Sequence, residues 1–136
     1  METSCGVVLV NYGTILLLQY PQGHWDFPKG HVEDDDEDHH ATAQRELAEE
    51  TGIDRIEFVK DFVERSEYSF HHRGKKKEKQ VYWYLAQTDQ LTVKLSHEHR
   101  GYMWLDWDMA EQQVSHEETR TVLRRARQHM ADLGLE

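Results

Sequence analysis

The chain has 136 residues, 38% of them hydrophobic, with four Trp and six Tyr, so it is long enough for one domain with a real core and too short for two. Its single cysteine excludes an internal disulfide and a cysteine-built zinc site, and fits a reducing cytoplasm. The net charge of −10 is local, because residues 33–50 hold nine acids and one Arg, which disfavours a generic nucleic-acid binder. No apolar run approaches the ~20 residues that span a bilayer, and METSC has no signal-peptide character. One domain over residues 1–136, cytoplasmic and not membrane-bound, is the expectation.

Thr3–Val10 reads as a strand, Asn11-Tyr12-Gly13 as its turn and Thr14–Gln19 as the return strand. The unbroken apolar run Val7–Val10 predicts burial on both faces. Residues 21–30 read as a loop with two prolines and two glycines. An acidic loop, Glu33–Asp38, leads into a helix over His39–Thr51, with Ala43 and Leu47 inward. His39 and His40, at its start, are expected to be structural. Ile56–Ser69 and Gln80–Thr88 read as two long strands, joined by a basic hairpin tip, His71–Lys79. Alternation in the second sends Val81, Trp83 and Leu85 to one face, Tyr82 and Tyr84 to the other. Gly101–Leu105 is a short strand, and Asp106 caps a helix through about Gln112. Ser115-His116-Glu117-Glu118 is a capping box. It opens a last helix with the apolar stripe Val122, Leu123, Ala126, Met130, Leu133. Strands interleaved with helices predict an α/β or α+β sandwich, with Trp104 and Trp107 in its core.

Within the first helix, Glu46, Glu49 and Glu50 stand at i, i+3 and i+4 and share one face. Each like-charge pair at that spacing costs roughly 0.2–0.5 kcal/mol, and Gly52, a C-terminal cap, puts the negative end of the helix dipole beside them. A divalent cation relieves such an arrangement. Hard carboxylate oxygens suit Mg²⁺ or Mn²⁺. Arg45, four residues before Glu49, can pair with it and fix its orientation. Lys29 and the basic tip Arg73–Lys79 can neutralise phosphates, so carboxylates for metal and cations for phosphate together point to phosphoryl chemistry.

The stretch Gly30–Ile53, GHVEDDDEDHHATAQRELAEETGI, resembles the Nudix box, G-x5-E-x7-R-E-U-x-E-E-x-G-U with U aliphatic. Arg45, Glu46, Leu47, Glu49, Glu50, Gly52 and Ile53 match its second half, and Glu37 matches the earlier glutamate. Six residues, not five, separate Gly30 from Glu37, an insertion in the acidic loop. The resemblance implies an α/β/α Nudix sandwich with a mixed sheet between helices, metal ligands Glu46, Glu49 and Glu50, a water base served or positioned by Glu49 or Glu50, and Arg45 orienting a box glutamate.

Two stretches outside the box, HWDFPKGHVE and LSHEHRGYMWL, resemble the asymmetric diadenosine tetraphosphate hydrolases within that family. This implies Mg²⁺-dependent splitting of a dinucleoside polyphosphate, diadenosine tetraphosphate to ATP and AMP, by a monomer acting on a small molecule with no nucleic acid required. It assigns Glu98 as a further carboxylate of the metal cluster, and His24, Lys29 and Lys79 to the polyphosphate. Tyr68, Tyr82 and Tyr102 are candidates to stack on adenine, as is Tyr84, and Trp25 is a contact or a wall of the cleft; His97 and His99 are further functional candidates. The alternatives are another Nudix pyrophosphohydrolase, acting on RNA 5′ ends, diphosphoinositol phosphates or nucleoside triphosphates, or a nucleotide-binding Nudix module without turnover.

Overall fold

In the computed structural model, which describes residues 1–135, one mixed eight-stranded sheet lies between helices. The strands are β1 (Glu2–Asn11), β2 (Thr14–Gln19), β3 (Trp25–Asp26), β4 (Lys29–His31), β5 (Glu57–Phe58), β6 (Glu64–His72), β7 (Lys75–Gln87) and β8 (Gly101–Asp106). The helices are α1 (His39–Thr51), α2 (Trp107–Gln113) and α3 (Glu117–Asp132). β1 runs parallel to β7 along nearly its whole length, whereas the other pairings are antiparallel. No helix among the described residues is long and apolar enough to cross a membrane.

Alternation along β1 explains the layers. Val7 and Leu9 join Leu16, Leu18, Leu47 and Ile53 beneath α1, with Cys5, Ala43 and Tyr84 beside them. Val8 and Val10 join Ile15, Leu17, Val81, Trp83 and Leu85 beneath α2 and α3. Both faces of the Val7–Val10 run are therefore buried, as its unbroken hydrophobicity predicts. Trp107 lies in the second core and Trp104 packs against the first, its Nε1 donating to the Leu91 carbonyl at 3.1 Å. His39 and His40 do pack structurally, against Tyr82 and against Phe58 and Tyr84.

Five expectations need correction. The segment read as a loop before Gly30 contains two short strands, β3 and β4, held by pairing with β2 and β1 rather than by their own propensity. The long strand expected over Ile56–Ser69 is broken at Val59–Val63, where Asp61 has a φ of 62° and the chain bends so that Val59 and Phe62 enter the core under α3. The basic tip is shorter than expected: Arg73 and Gly74, both with positive φ, make a two-residue turn, and Lys75–Lys79 continue β7. Finally, His116 rather than Ser115 caps α3. Ser115 instead accepts the Trp25 backbone N–H on Oγ at 2.8 Å and donates its own N–H to the Trp25 carbonyl at 3.1 Å, a tertiary pairing that outcompetes the local box. At the other end of that helix Leu133 is its C-terminal cap and exposed, outside the buried stripe.

Candidate active site

Asp38 caps α1 by accepting the Ala41 N–H, and Gly52 ends it with a φ of 75°. The carbonyls left unpaired at that C-terminus are taken up from far along the chain: Ser96 N–H donates to the Glu50 carbonyl at 2.9 Å and Lys94 N–H to that of Thr51 at 2.8 Å. This stitching carries the Leu95–Arg100 segment to the glutamates. It sets His99 Nε2 at 3.7 Å from Glu50 Oε2, while His99 Nδ1 meets Ser96 Oγ at 3.1 Å. Glu98 is exposed nearby, close enough for its charge to act on Glu50. His97 is exposed.

Glu46, Glu49 and Glu50 differ in setting. Glu49 is exposed and Glu46 half-buried, and Arg45 Nη1 donates to both, at 2.9 Å to Glu46 Oε1 and 3.3 Å to Glu49 Oε1. Glu50 is buried, and its Oε1 has no hydrogen-bond partner. Burial first, then the charges of Glu46 and Glu98, push its carboxyl up to about 8, with Lys29 opposing. Gly30 makes room for the cluster: a Cβ there would lie 1.9 Å from the Glu46 carboxylate carbon. Among the described residues no three acidic, imidazole or thiol groups converge on a common point suited to a metal, since Arg45 draws Glu46 and Glu49 to itself. The donors nevertheless fit a hard dication: they are carboxylates on one helical face, and one of them keeps a buried oxygen without a partner.

Arg45 is held by Asp36, not by Glu37. Its Nε and Nη2 each donate to one Asp36 oxygen at 2.9 Å, and Asp36 also accepts from Glu33 N–H and Thr42 Oγ1, both at 2.8 Å. The Arg45 guanidinium thereby holds the Asp36 carboxyl well below the usual carboxylate range. Glu37 is exposed. Counted forward from Gly30, five residues precede Asp36, the spacing of the box pattern, so the insertion falls between this acid and Arg45. Counting backward from Arg45 is what points to Glu37.

Beside the glutamates, a cleft of about 370 Å³ is lined by His24, Asp26, Lys29, Tyr68, Trp83 and His116 among others. Lys79 faces Tyr68 across the β6–β7 ladder, and burial together with Lys29 lowers its ammonium pKa. Tyr20, packed against the core beneath α1, ties the cleft residues His24 and Lys29 to His99. Its ring stacks on His24 at 4.9 Å, meets His99 edge-on at 4.8 Å and lies 4.4 Å under Lys29 Nζ, while its hydroxyl donates to the Phe27 carbonyl at 2.8 Å. Lys29 Nζ also reaches Asp26 Oδ2 at 3.2 Å. Desolvation, then Lys29, lowers the His24 pKa.

Of the substrate candidates, the structure brings His24, Lys29, Tyr68 and Lys79 together and leaves others apart. Tyr82 points to the opposite face of the sheet, its ring 4.8 Å from His39. Trp25 packs against the core under α3 rather than lining the cleft. Tyr102 is exposed on β8, beside Leu18 on the α1 face. Tyr20, Asp26, Asp36 and His116 escape sequence reasoning; Asp36 alone carried a signal, its distance from Gly30.

A model of the NUDIX domain matches residues 2–126, and the chain belongs to the Nudix family of hydrolases. It is 37% identical over 119 residues to the asymmetrical bis(5′-nucleosyl)-tetraphosphatase of Rattus norvegicus, covering 85% of this chain and 79% of that one. The Caenorhabditis elegans protein of the same name is 35% identical over 113 residues, covering 81% and 80%. Among solved structures, a C. elegans Ap4A hydrolase binary complex superposes with a TM-score of 0.82 at 30% identity, covering 97% and 99% of the two chains. The E. coli dihydroneopterin triphosphate pyrophosphohydrolase, at 20% identity, a TM-score of 0.75 and coverage of 90% and 92%, shares the fold. Nudix hydrolases generally use divalent metal ions.

Proposed function

We propose that this protein hydrolyses dinucleoside polyphosphates, taking diadenosine tetraphosphate and water to ATP and AMP, with Mg²⁺ or Mn²⁺. The observation that carries the reading is the abutment of two opposite halves: buried, under-neutralised Glu50 on one side, and Lys29 over Tyr20, feeling Glu50's charge, on the other. The resemblance to the tetraphosphatases, including the LSHEH segment that packs on Glu50, supports the choice of substrate.

Glu46, Glu49, Glu50 and Glu98 would hold the cation, which supplies Lewis-acid stabilisation of phosphate charge when bound. Arg45, fixed by Asp36, orients Glu46 and Glu49. Glu50, whose buried Oε1 has no hydrogen-bond partner, would take the proton of the attacking water. Lys29, Lys79 and His24 position the polyphosphate, and Tyr68 offers a flat wall to a base, worth ~1–3 kcal/mol per stacked base.

The test is a product assay with Mg²⁺ in ¹⁸O water, run in parallel on diadenosine tetraphosphate, nucleoside triphosphates and 5′-triphosphorylated RNA. ATP plus AMP in equal amounts, with one product labelled and the first substrate preferred, is the expected result. Equal or faster turnover of the RNA would overturn the substrate assignment.

A further inference from the structure

Two carboxylates line the cleft, Asp26 and Glu118, and they are differently placed. Asp26 is buried and committed: one oxygen accepts the Phe27 N–H at 2.7 Å and the other meets Lys29 Nζ at 3.2 Å. Glu118 is exposed and pairs with no cation among the described residues. An acid in the first turn of a helix favours the helix dipole wherever it points. Glu117 already serves that purpose in α3, and it is held at 2.7 Å by Arg120. What is particular to Glu118 is that its position on α3 makes it part of the cleft wall.

The surroundings of Glu118 suit a nucleobase. Ser115, bonded twice to the Trp25 backbone, pins the chain just ahead of α3 and so sets His116 and Glu118 at the cleft. His116 makes no side-chain cap bond, and its ring lies 5.4 Å from that of His24. Tyr68 comes from β6, and its hydroxyl pKa is raised by burial first and then by the charges of Asp26, Glu2 and Glu118. Val81 and Trp83 are buried beneath, and the one Trp83 donor is already given to Ser66 Oγ at 3.2 Å. The cleft therefore offers flat rings, an apolar floor and one unpartnered carboxylate, in a volume of about 370 Å³. A phosphate group is repelled by that carboxylate, whereas Lys29 and Lys79 attract it.

From this arrangement we infer that Glu118 is a specificity-determining residue that selects guanine as the base held in this cleft. An ionised carboxylate only accepts hydrogen bonds. The guanine edge offers it two adjacent donors, the ring N1–H and the exocyclic amine. Adenine offers one donor beside a ring nitrogen lone pair, which faces the second oxygen with no proton between them. The inference rests on the reading of the cleft as a dinucleoside polyphosphate site and names the preferred base of one of the two nucleosides.

The experiment measures, by calorimetry on the intact protein in Mg²⁺, the affinities of the 5′-monophosphates of guanosine, inosine and adenosine, which contain no phosphoanhydride to hydrolyse. The guanosine nucleotide is expected to bind about tenfold more tightly than the adenosine one, within the range of a two-point contact to a base edge. Inosine, which keeps the ring N1–H and lacks the amine, should fall between. Glu118→Gln presents one acceptor and one donor, the match for adenine, and should reverse the order. Glu117→Gln should leave it unchanged. Beside these, kcat/KM for diguanosine and diadenosine tetraphosphate should follow the same preference. Failure to turn over either would count against the hydrolase reading, while the monophosphate affinities still decide the base. Equal or tighter binding of the adenosine nucleotide, a guanine preference that survives Glu118→Gln, or one lost equally in Glu117→Gln would each overturn the inference.

Discussion

Asp36 and Arg45 meet as a two-point ion pair, Oδ1 to Nε and Oδ2 to Nη2, both at 2.9 Å. The acid that fixes the arginine of the glutamate helix is thus the one placed by counting from Gly30, and Glu37 is left exposed. Parallel guanidinium–carboxylate bonds set direction as well as charge. Losing an outer partner of a metal-binding group typically costs 10–100-fold. Asp36→Ala is therefore expected to lower kcat/KM by roughly 10–100-fold, and Glu37→Ala to leave it unchanged. The Asp36 carboxyl is pulled down in the folded chain, so its stabilisation is present above the unfolded carboxylate pKa and lost as pH falls through the folded one. Acid denaturation followed by circular dichroism should accordingly be less steep in Asp36→Ala.

Gly30 separates folding from activity. The nearest atoms a methyl group there would meet are the carboxylate end of Glu46, a flexible side chain that can swing away. Gly30→Ala should melt within a few degrees of the unaltered protein, yet lose activity by about 10²-fold or more, the scale of removing a ligand or positioned carboxylate. Thermal melts beside initial rates decide it, and full activity would show that Glu46 need not sit against the strand.

Much of this was legible in the chain. The i, i+3, i+4 glutamates, their Gly52 cap and the unbroken apolar run Val7–Val10 are local patterns, and local physics fixes them. The unread parts are tertiary. β3 and β4 exist through their partners, the break after Phe58 serves to bury Phe62, and Ser115 abandons a capping box for Trp25. Tyr82 and Tyr68 look alike as strand aromatics, and only the register of β6 against β7 separates the cleft face from the face under α1. Tyr20 had no signal, because its role comes from three distant groups, His24, Lys29 and His99, that meet its ring.

Glu50 should oppose folding when ionised. Its folded pKa, about 8, exceeds its ordinary value of 4.5, so the unfolded chain gives up this proton first. Metal-free stability is then highest where the carboxyl is protonated, and is lost as pH rises from about 4.5 to about 8, by on the order of a few kcal/mol. Glu50→Gln escapes that loss. In chelator, its Tm should match the unaltered protein's near pH 4 and exceed it by several degrees near pH 9, while its turnover falls by about 10²–10⁴-fold. A lower Tm for the variant at pH 9 would contradict the assignment of burial as the cause.

The two tyrosines give a paired prediction for the substrate. Tyr68→Ala should raise KM for diadenosine tetraphosphate about tenfold with a smaller change in kcat, consistent with the loss of one stacking partner. Lys79→Ala should weaken polyphosphate positioning in the same direction. Tyr82→Ala, on the other face, should leave KM unchanged and lower only the Tm. Steady-state kinetics on the three variants checks this.

The most direct test of the whole account is a Mn²⁺ titration of chelator-stripped protein, followed by electron paramagnetic resonance and run beside the activity assay. Saturable binding that restores hydrolysis, and that is weakened at least tenfold in both Glu46→Gln and Glu50→Gln, is the predicted result. Hydrolysis that persists in excess chelator, with no Mn²⁺ signal change in the unaltered protein, would contradict it.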